Sequence, residues 1–499
     1  MDIKDEEASK DESQETRLSG HKRHKKELIP PFLQIPSLSP SSWIHDRLPE
    51  MLWAGLIIGN MERAKALDFF RYVAKYVGDH QEFADITLSG ISKVDKDKQE
   101  EFIKHILDYS KEVHILLRPL SIYPNIPSSD LWKKHLEKPV LAEDWKKISE
   151  GVKKTYDHQS QEATDCRWIK LLCLMIGGKM KFPKEMKETV EEIFNYPNKG
   201  DMKKVRPTIR ASEIGLNKGD VEWPIHFWKH NYDSTDCVPE EAFSKKIKSR
   251  QKKLSKEIED SRKHYIDESK KVRDELIKKF FDSCKTTKVN TRRETTFGLV
   301  LYSLSFFTEI IFYSSSSSIT GRVALRTLIE IYINLEYLLK KEKEEPKIWD
   351  DFHNYGTGQT KLIYLKFKEL GKKSHCVEPD ELNLVVNEDK WAEFVPINLG
   401  QWGNSDLRKM SDYAGVKEIY DLYYNYTSGF VHGTRGALRE SIYQMCLNPL
   451  HRFHRIPIFD LPLMPSVVLD SVEVINKILD CLNVAYPSFD SRIKNIPKK

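Results

Sequence analysis

The segment YDLYYNYTSGFVHGTRG, residues 420–436, sets Tyr420, Tyr424, Ser428 and His432 at intervals of four. On a helix that spacing lines the four side chains along one face. An imidazole beside hydroxyl groups is suited to moving protons near neutral pH. A second ladder stands upstream in VALRTLIEIYINLEYLL, where Arg322, Arg326, Glu330 and Asn334 recur every four residues. The rest of that segment is apolar on almost every side, the pattern of a helix buried all round. A guanidinium and a carboxylate there must pair with each other or with polar groups on a facing helix. The Tyr420–His432 ladder is the expected facing partner.

Read as a catalytic site, His432 is the acid or base and Arg326 stabilises developing negative charge. Glu330, Tyr424 and Ser428 orient them. Arg435 and Arg439 follow one and two turns beyond His432. Read as structure, the same groups form a satisfied buried polar network that fixes helix register.

The elements that carry these ladders belong to an all-α chain. Helical periodicity recurs throughout, and no run of alternating β-branched residues announces a sheet beyond a small ribbon. At 499 residues there is length for more than one core. Residues 1–29 lack apolar periodicity and read as a disordered tail, with HKRHKK as a solvated charge run. Residues 30–239 read as a multi-helix N-terminal domain, with EWPIHFWKHNYDSTDCVPE as a packed irregular connection. Residues 240–288 read as a long, charged, exposed linking helix with a narrow stripe at Ile247, Leu254, Ile258, Tyr265, Val272 and Leu276. Residues 289–486 read as a C-terminal helical bundle, opening with a hairpin broken at the serine run 314–318. Residues 487–499 read as a fraying tail.

Charge and cysteine usage narrow the classes. Lys and Arg number 80 against 75 Asp and Glu, and a net +5 is too even for a polyanion-coating protein. The 7 cysteines include no CxxC, which excludes a disulfide framework or zinc ribbon on spacing and suits a reducing compartment. The first residues lack an apolar signal core, so a cytoplasmic location is expected. The most apolar run, 297–313, is short for a span and carries Glu309, so no membrane is expected.

Three further patterns carry less. Asp380, Glu388 and Lys390 mimic a magnesium-dependent nuclease core, but that core needs adjoining strands and this region reads helical. HRFH could place His451 and His454 on one helical face, yet no carboxylate or thiolate cluster accompanies them in the sequence, and Arg452 and Arg455 would repel a cation. GTGQTK at Gly356 lacks the spacing of a phosphate loop. No metal and no cofactor are therefore expected.

The order LRTLIEIYINLEYLL, then Trp402, Tyr420, Tyr424 and SGFVHG, resembles a widespread prokaryotic domain-of-unknown-function family, number 5677, over roughly the last 200 residues. More loosely it resembles the helical HEPN class, which includes metal-independent ribonucleases and toxins of bacterial defence systems. That class carries an arginine four to six residues before a histidine on one helix. Here Arg435 follows His432 instead, and Arg326 would supply the charge from another helix. The resemblance implies RNA as a partner and a homodimer built through the C-terminal half. The expected function is a defence-associated HEPN-like ribonuclease or toxin. The alternative is a non-enzymatic helical sensor or scaffold whose Arg/Glu/Tyr/Ser/His network is structural.

Overall fold

The computed structural model describes residues 20–496 apart from 26, 35–40, 181, 183, 215–221, 240–244, 287, 314, 372–373, 389–391, 401 and 459–463. The expected tail up to residue 19, the side chains of Ile247, Leu254 and Ile258, and Lys390 lie outside the described residues. What is described is all-α, with two-stranded ribbons as its only sheets. One ribbon pairs Lys22–His24 antiparallel with Glu27–Ile29, so part of the expected charged tail is ordered as an exposed hairpin. The other pairs Tyr443–Met445 with Arg455–Pro457.

The chain divides into two compact units. The first holds residues 1–239 and 445–454; the second holds 240–444 and 455–499. The first unit is therefore discontinuous, and ten residues expected in the C-terminal domain belong to it.

The first unit is organised around the Leu52–Asn60 helix, LWAGLIIGN, which is buried from Leu52 through Gly59. With no polar face it must be wrapped on all sides, and the Leu141–Thr155 helix comes close enough to need glycine at Gly59 and Gly151. A third helix, Gln161–Ile176, carries charges inward. Asp165 receives a two-pronged bond from Arg63 at 2.8 and 2.9 Å and the Tyr196 hydroxyl at 2.8 Å. The fully buried Glu213 accepts from Lys170 Nζ at 2.8 Å and from Arg47, with Arg167 Nε at 3.6 Å. A buried carboxylate is tolerable only when compensated in this way.

EWPIHFWKHNYDS is helical over Trp223–Ser234 rather than irregular. Proline in the first turn costs no hydrogen bond and pre-sets the backbone angle, and Trp223, Phe227 and Trp228 face the core.

The second unit is a bundle of Thr291–Phe312, Ile319–Lys341 and Val468–Ala485. The hairpin break is a short turn at Ser315–Ser317. Thr291–Phe312 is the one helix among the described residues long and apolar enough to cross a membrane by length and composition. It turns Phe297, Val300, Leu304 and Phe307 into the bundle core. The charged Lys245–Asp282 helix is not an exposed rod along its later turns: Tyr265, Val272 and Leu276 are buried in the same core. Its narrow stripe is wide enough to dock one side of the bundle.

Nor do the described residues 487–496 fray. Phe489 and Ile493 are buried, and Asn476 holds the backbone of Ile493 at both its carbonyl, 3.0 Å, and its N–H, 2.9 Å. Two apolar anchors among polar residues suffice to pin a short segment.

Candidate functional site

Ile319–Lys341 presents Arg326 and Glu330 one turn apart on the same face, and they form an ion pair at 3.0 Å. The facing chain begins as a short helix at Lys417–Ile419, widens into a π turn at Tyr420–Tyr424, and continues as Asn425–Val431. Within the wide turn the rings of Tyr420 and Tyr424 stack with centroids 4.8 Å apart. That places the Tyr424 hydroxyl on the ion pair. Arg326 Nη2 donates to it at 2.8 Å, and the hydroxyl donates to Glu330 Oε1 at 3.1 Å. The Arg326 guanidinium carbon lies 4.9 Å from the Tyr424 ring centroid, a cation–π distance.

Ser428 and His432 do not join this cluster. A π turn closes i→i+5 rather than i→i+4, so positions after it are rotated away from an uninterrupted four-residue ladder. The helix then ends at Val431, and the chain turns through His432 and Gly433, whose φ is +60°. Ser428 is half-buried, and its carbonyl caps the His432 N–H at 3.1 Å. The His432 side chain is exposed, and among the described residues no hydrogen bond or ion pair engages its imidazole. The structure thus brings together Arg326, Glu330 and Tyr424, and leaves Ser428 and His432 outside their hydrogen-bonded cluster.

The other ladder positions have separate tasks. Arg322 is buried and donates to the carbonyls of Ser316, Ser318 and Pro465, fastening the hairpin turn. Asn334 accepts the Trp402 indole N–H at 3.2 Å.

The triad forms part of the wall of a cavity of about 630 Å³, within the range of small-molecule sites. Asn334, Tyr355, Trp402, Asp406, Arg408 and Tyr420 supply the rest of its polar and aromatic lining. Tyr355 and Arg408 escaped the sequence reading because Tyr355 lies on another helix and Arg408 follows the Pro/Gly-rich connection, where periodicity gives no guide.

Burial dominates the electrostatics of the two phenols. Burial raises the Tyr424 phenol above its ordinary pKa, and the Glu330 charge adds to this while Arg326 opposes it. Burial likewise raises Tyr420. The Tyr424 hydroxyl acts as the donor to Glu330. Glu330 and the Tyr424 hydroxyl use Arg326 Nη2, while Nε is buried with no hydrogen-bond partner among the described residues. No imidazole is part of the cavity lining.

The competing patterns settle on their backbones. Asp380 stands in the first turn of the Pro379–Val386 helix, not on the strand that a nuclease core needs there. Gly356 and Lys361 lie inside the Ile348–Leu370 helix, whose amides are already bonded, and Lys361 donates to the carbonyls of Ala392 and Val395.

No curated protein and no solved structure matches the chain. Residues 294–444, the span that carries Arg326, Glu330, Trp402, Tyr424 and His432, match the model of a family of unknown function, DUF5677.

Proposed function

We propose that the second unit is a ligand-binding helical module of the sensor or scaffold kind, with the Arg326–Glu330–Tyr424 cluster as the polar wall of its pocket. One observation carries this reading: the cluster is closed on itself by one ion pair and two hydrogen bonds beside a cavity of about 630 Å³, while His432 takes part in none of them. An acid–base site needs its imidazole within reach of the reacting atoms. A binding site needs a preformed wall and a few convergent polar groups.

The lining selects a class of occupant. Tyr420 and Trp402 offer flat apolar faces, Arg408 and Arg326 offer cationic donors, and Asn334 and Glu330 fix orientation. A small planar molecule with an anionic group, of nucleotide size, fits this chemistry. Calorimetric titration with adenosine and guanosine monophosphates tests it. Binding that Arg408→Ala weakens and Tyr420→Ala abolishes is the expected result; absence of heat at millimolar nucleotide rejects this class of ligand.

A defence-associated, metal-independent ribonuclease is the second reading. It is favoured by the exposed turn that places His432, Arg435 and Arg439 at the surface, together with the looser HEPN resemblance. RNA cleavage in the presence of chelator, lost in both His432→Ala and His432→Gln, would establish it over the binding module.

A further inference from the structure

The ten-residue return of the chain to the first unit, 445–454, closes a cluster of four soft donors. Cys237, Cys446, His451 and His454 each direct one ligand atom inward, and all four atoms lie within 4.8 Å of one another. Cys237 Sγ stands 3.3 Å from His451 Nδ1 and 3.3 Å from His454 Nε2; Cys446 Sγ stands 3.7 Å from His451 Nδ1. A tetrahedral zinc ion with Zn–S near 2.3 Å and Zn–N near 2.0–2.1 Å sets its ligands about 3.3–3.8 Å apart. The three measured edges fall in that interval.

The surroundings orient these donors as metal ligands need. With Nδ1 turned inward, His451 directs Nε2 to the Thr235 carbonyl at 3.0 Å, the outer contact that fixes the tautomer of a ligating imidazole. The Val238 N–H points at Cys446 Sγ from 3.4 Å, a donor suited to a thiolate. Cys446 is held in place by its N–H to the His454 carbonyl at 2.9 Å, and Leu447 by its N–H to the Val238 carbonyl at 2.7 Å. Asn448 ties the excursion to Thr235 and Asp236. Between the histidines, Arg452 and Phe453 both adopt left-handed backbone, φ 54° and 46°, which brings two imidazoles three residues apart back to one point. Non-glycine residues persist in that region only where the surroundings over-determine it.

We propose that the first unit binds one zinc ion through Cys237, Cys446, His451 and His454, as a closed structural site. Four protein ligands leave no open position for substrate. Binding displaces the two thiol protons, and two thiolates with two neutral imidazoles then balance the dication, so the buried pair Cys446 and His451 meets no uncompensated charge. The sequence-based objection to HRFH does not hold in three dimensions. The missing thiolates are Cys446, five residues before His451, and Cys237, 214 residues before it. The Arg452 guanidinium is turned to His45 and lies 5.6 Å from the Trp228 ring, so its charge is engaged by those neighbours.

The test uses the full chain purified without a histidine tag. Elemental analysis should find one zinc per chain after reconstitution and dialysis. Stripped protein reloaded with cobalt(II) should show the intense visible bands of a tetrahedral ion and thiolate-to-cobalt charge transfer. Cys237→Ser is the decisive variant, because the residue is at the surface and the fold can be checked by circular dichroism. It should halve the charge-transfer intensity and weaken metal retention, and His454→Gln should weaken retention with the charge transfer kept. Zinc well below one equivalent, an octahedral cobalt spectrum, a Cys237–Cys446 disulfide that persists in protein kept with a thiol reductant, or retention unchanged in a folded Cys237→Ser protein would each overturn the assignment.

Discussion

Gly59 and Gly151 meet backbone to backbone: a β-carbon built on Gly59 would lie 2.5 Å from the Gly151 Cα. Neither helix can give way without moving the rest of the first core, since Leu56, Ile57 and Val152 are buried alongside. Gly59→Ala should therefore destabilise the first unit by about 3 kcal/mol, the upper range for overpacking. Thermal melting followed by far-UV circular dichroism measures it. A melting temperature equal to that of the parent would mean that the two helices do not cross at this point.

Glu213 makes the first unit sensitive to acid. Burial alone would raise its pKa, but Lys170, Arg47 and Arg167 outweigh that and hold it below the ordinary glutamate value. A carboxylate depressed on folding contributes stability above its unfolded pKa and loses it as pH falls through the folded one. Stability of the first unit should thus fall as the pH drops below about 4. Glu213→Gln should flatten that dependence and cost about 3–5 kcal/mol at neutral pH, by leaving cations unpaired in the interior. Urea melts at a series of pH values report both effects.

Tyr424→Phe and His432→Ala should separate the two halves of the ladder. The phenylalanine keeps the ring against Arg326 but removes the hydroxyl shared with Glu330, at a cost of about 1 kcal/mol. The exposed His432 should change stability by less than about 0.5 kcal/mol. Denaturant midpoints for the two variants provide the comparison, and a larger loss in His432→Ala would place the imidazole inside the network.

The ladder shows what periodicity reveals and where it stops. Arg326 and Glu330 were legible because two charges in an apolar helix must find partners, and the Tyr424 contact followed from the same argument. His432 lies outside the hydrogen-bonded cluster because the chain passes a π turn at Tyr420–Tyr424 before reaching it, and a π turn has no residue signature. Helices were legible for the same reason, down to the hairpin around the serine run. The zinc ligands were not, because Cys237 and Cys446 are neighbours only after folding, and linear spacing gave only half of the donor set.

The last residues offer a further check. Phe489 and Ile493 are buried in the second core, and Tyr265 donates to Asn495 at 3.3 Å. Ending the chain at residue 487 should cost about 3 kcal/mol or more, given about 1.5–3 kcal/mol for each buried apolar side chain. A lowered urea midpoint for the second unit is the expected result; an unchanged midpoint would show that the segment contributes nothing.

The excursion at 445–454 has a consequence for the order of synthesis. A ribosome releases residues 1–239 long before the segment that supplies Leu450 to their core and three of the four donors around Cys237. Until then the nascent first unit lacks a piece of its own interior, while more than 200 residues of its successor emerge behind it. A gene fragment cut at residue 239 therefore encodes an unfinished unit, and any dissection of this protein into working parts has to carry the late segment with the early one.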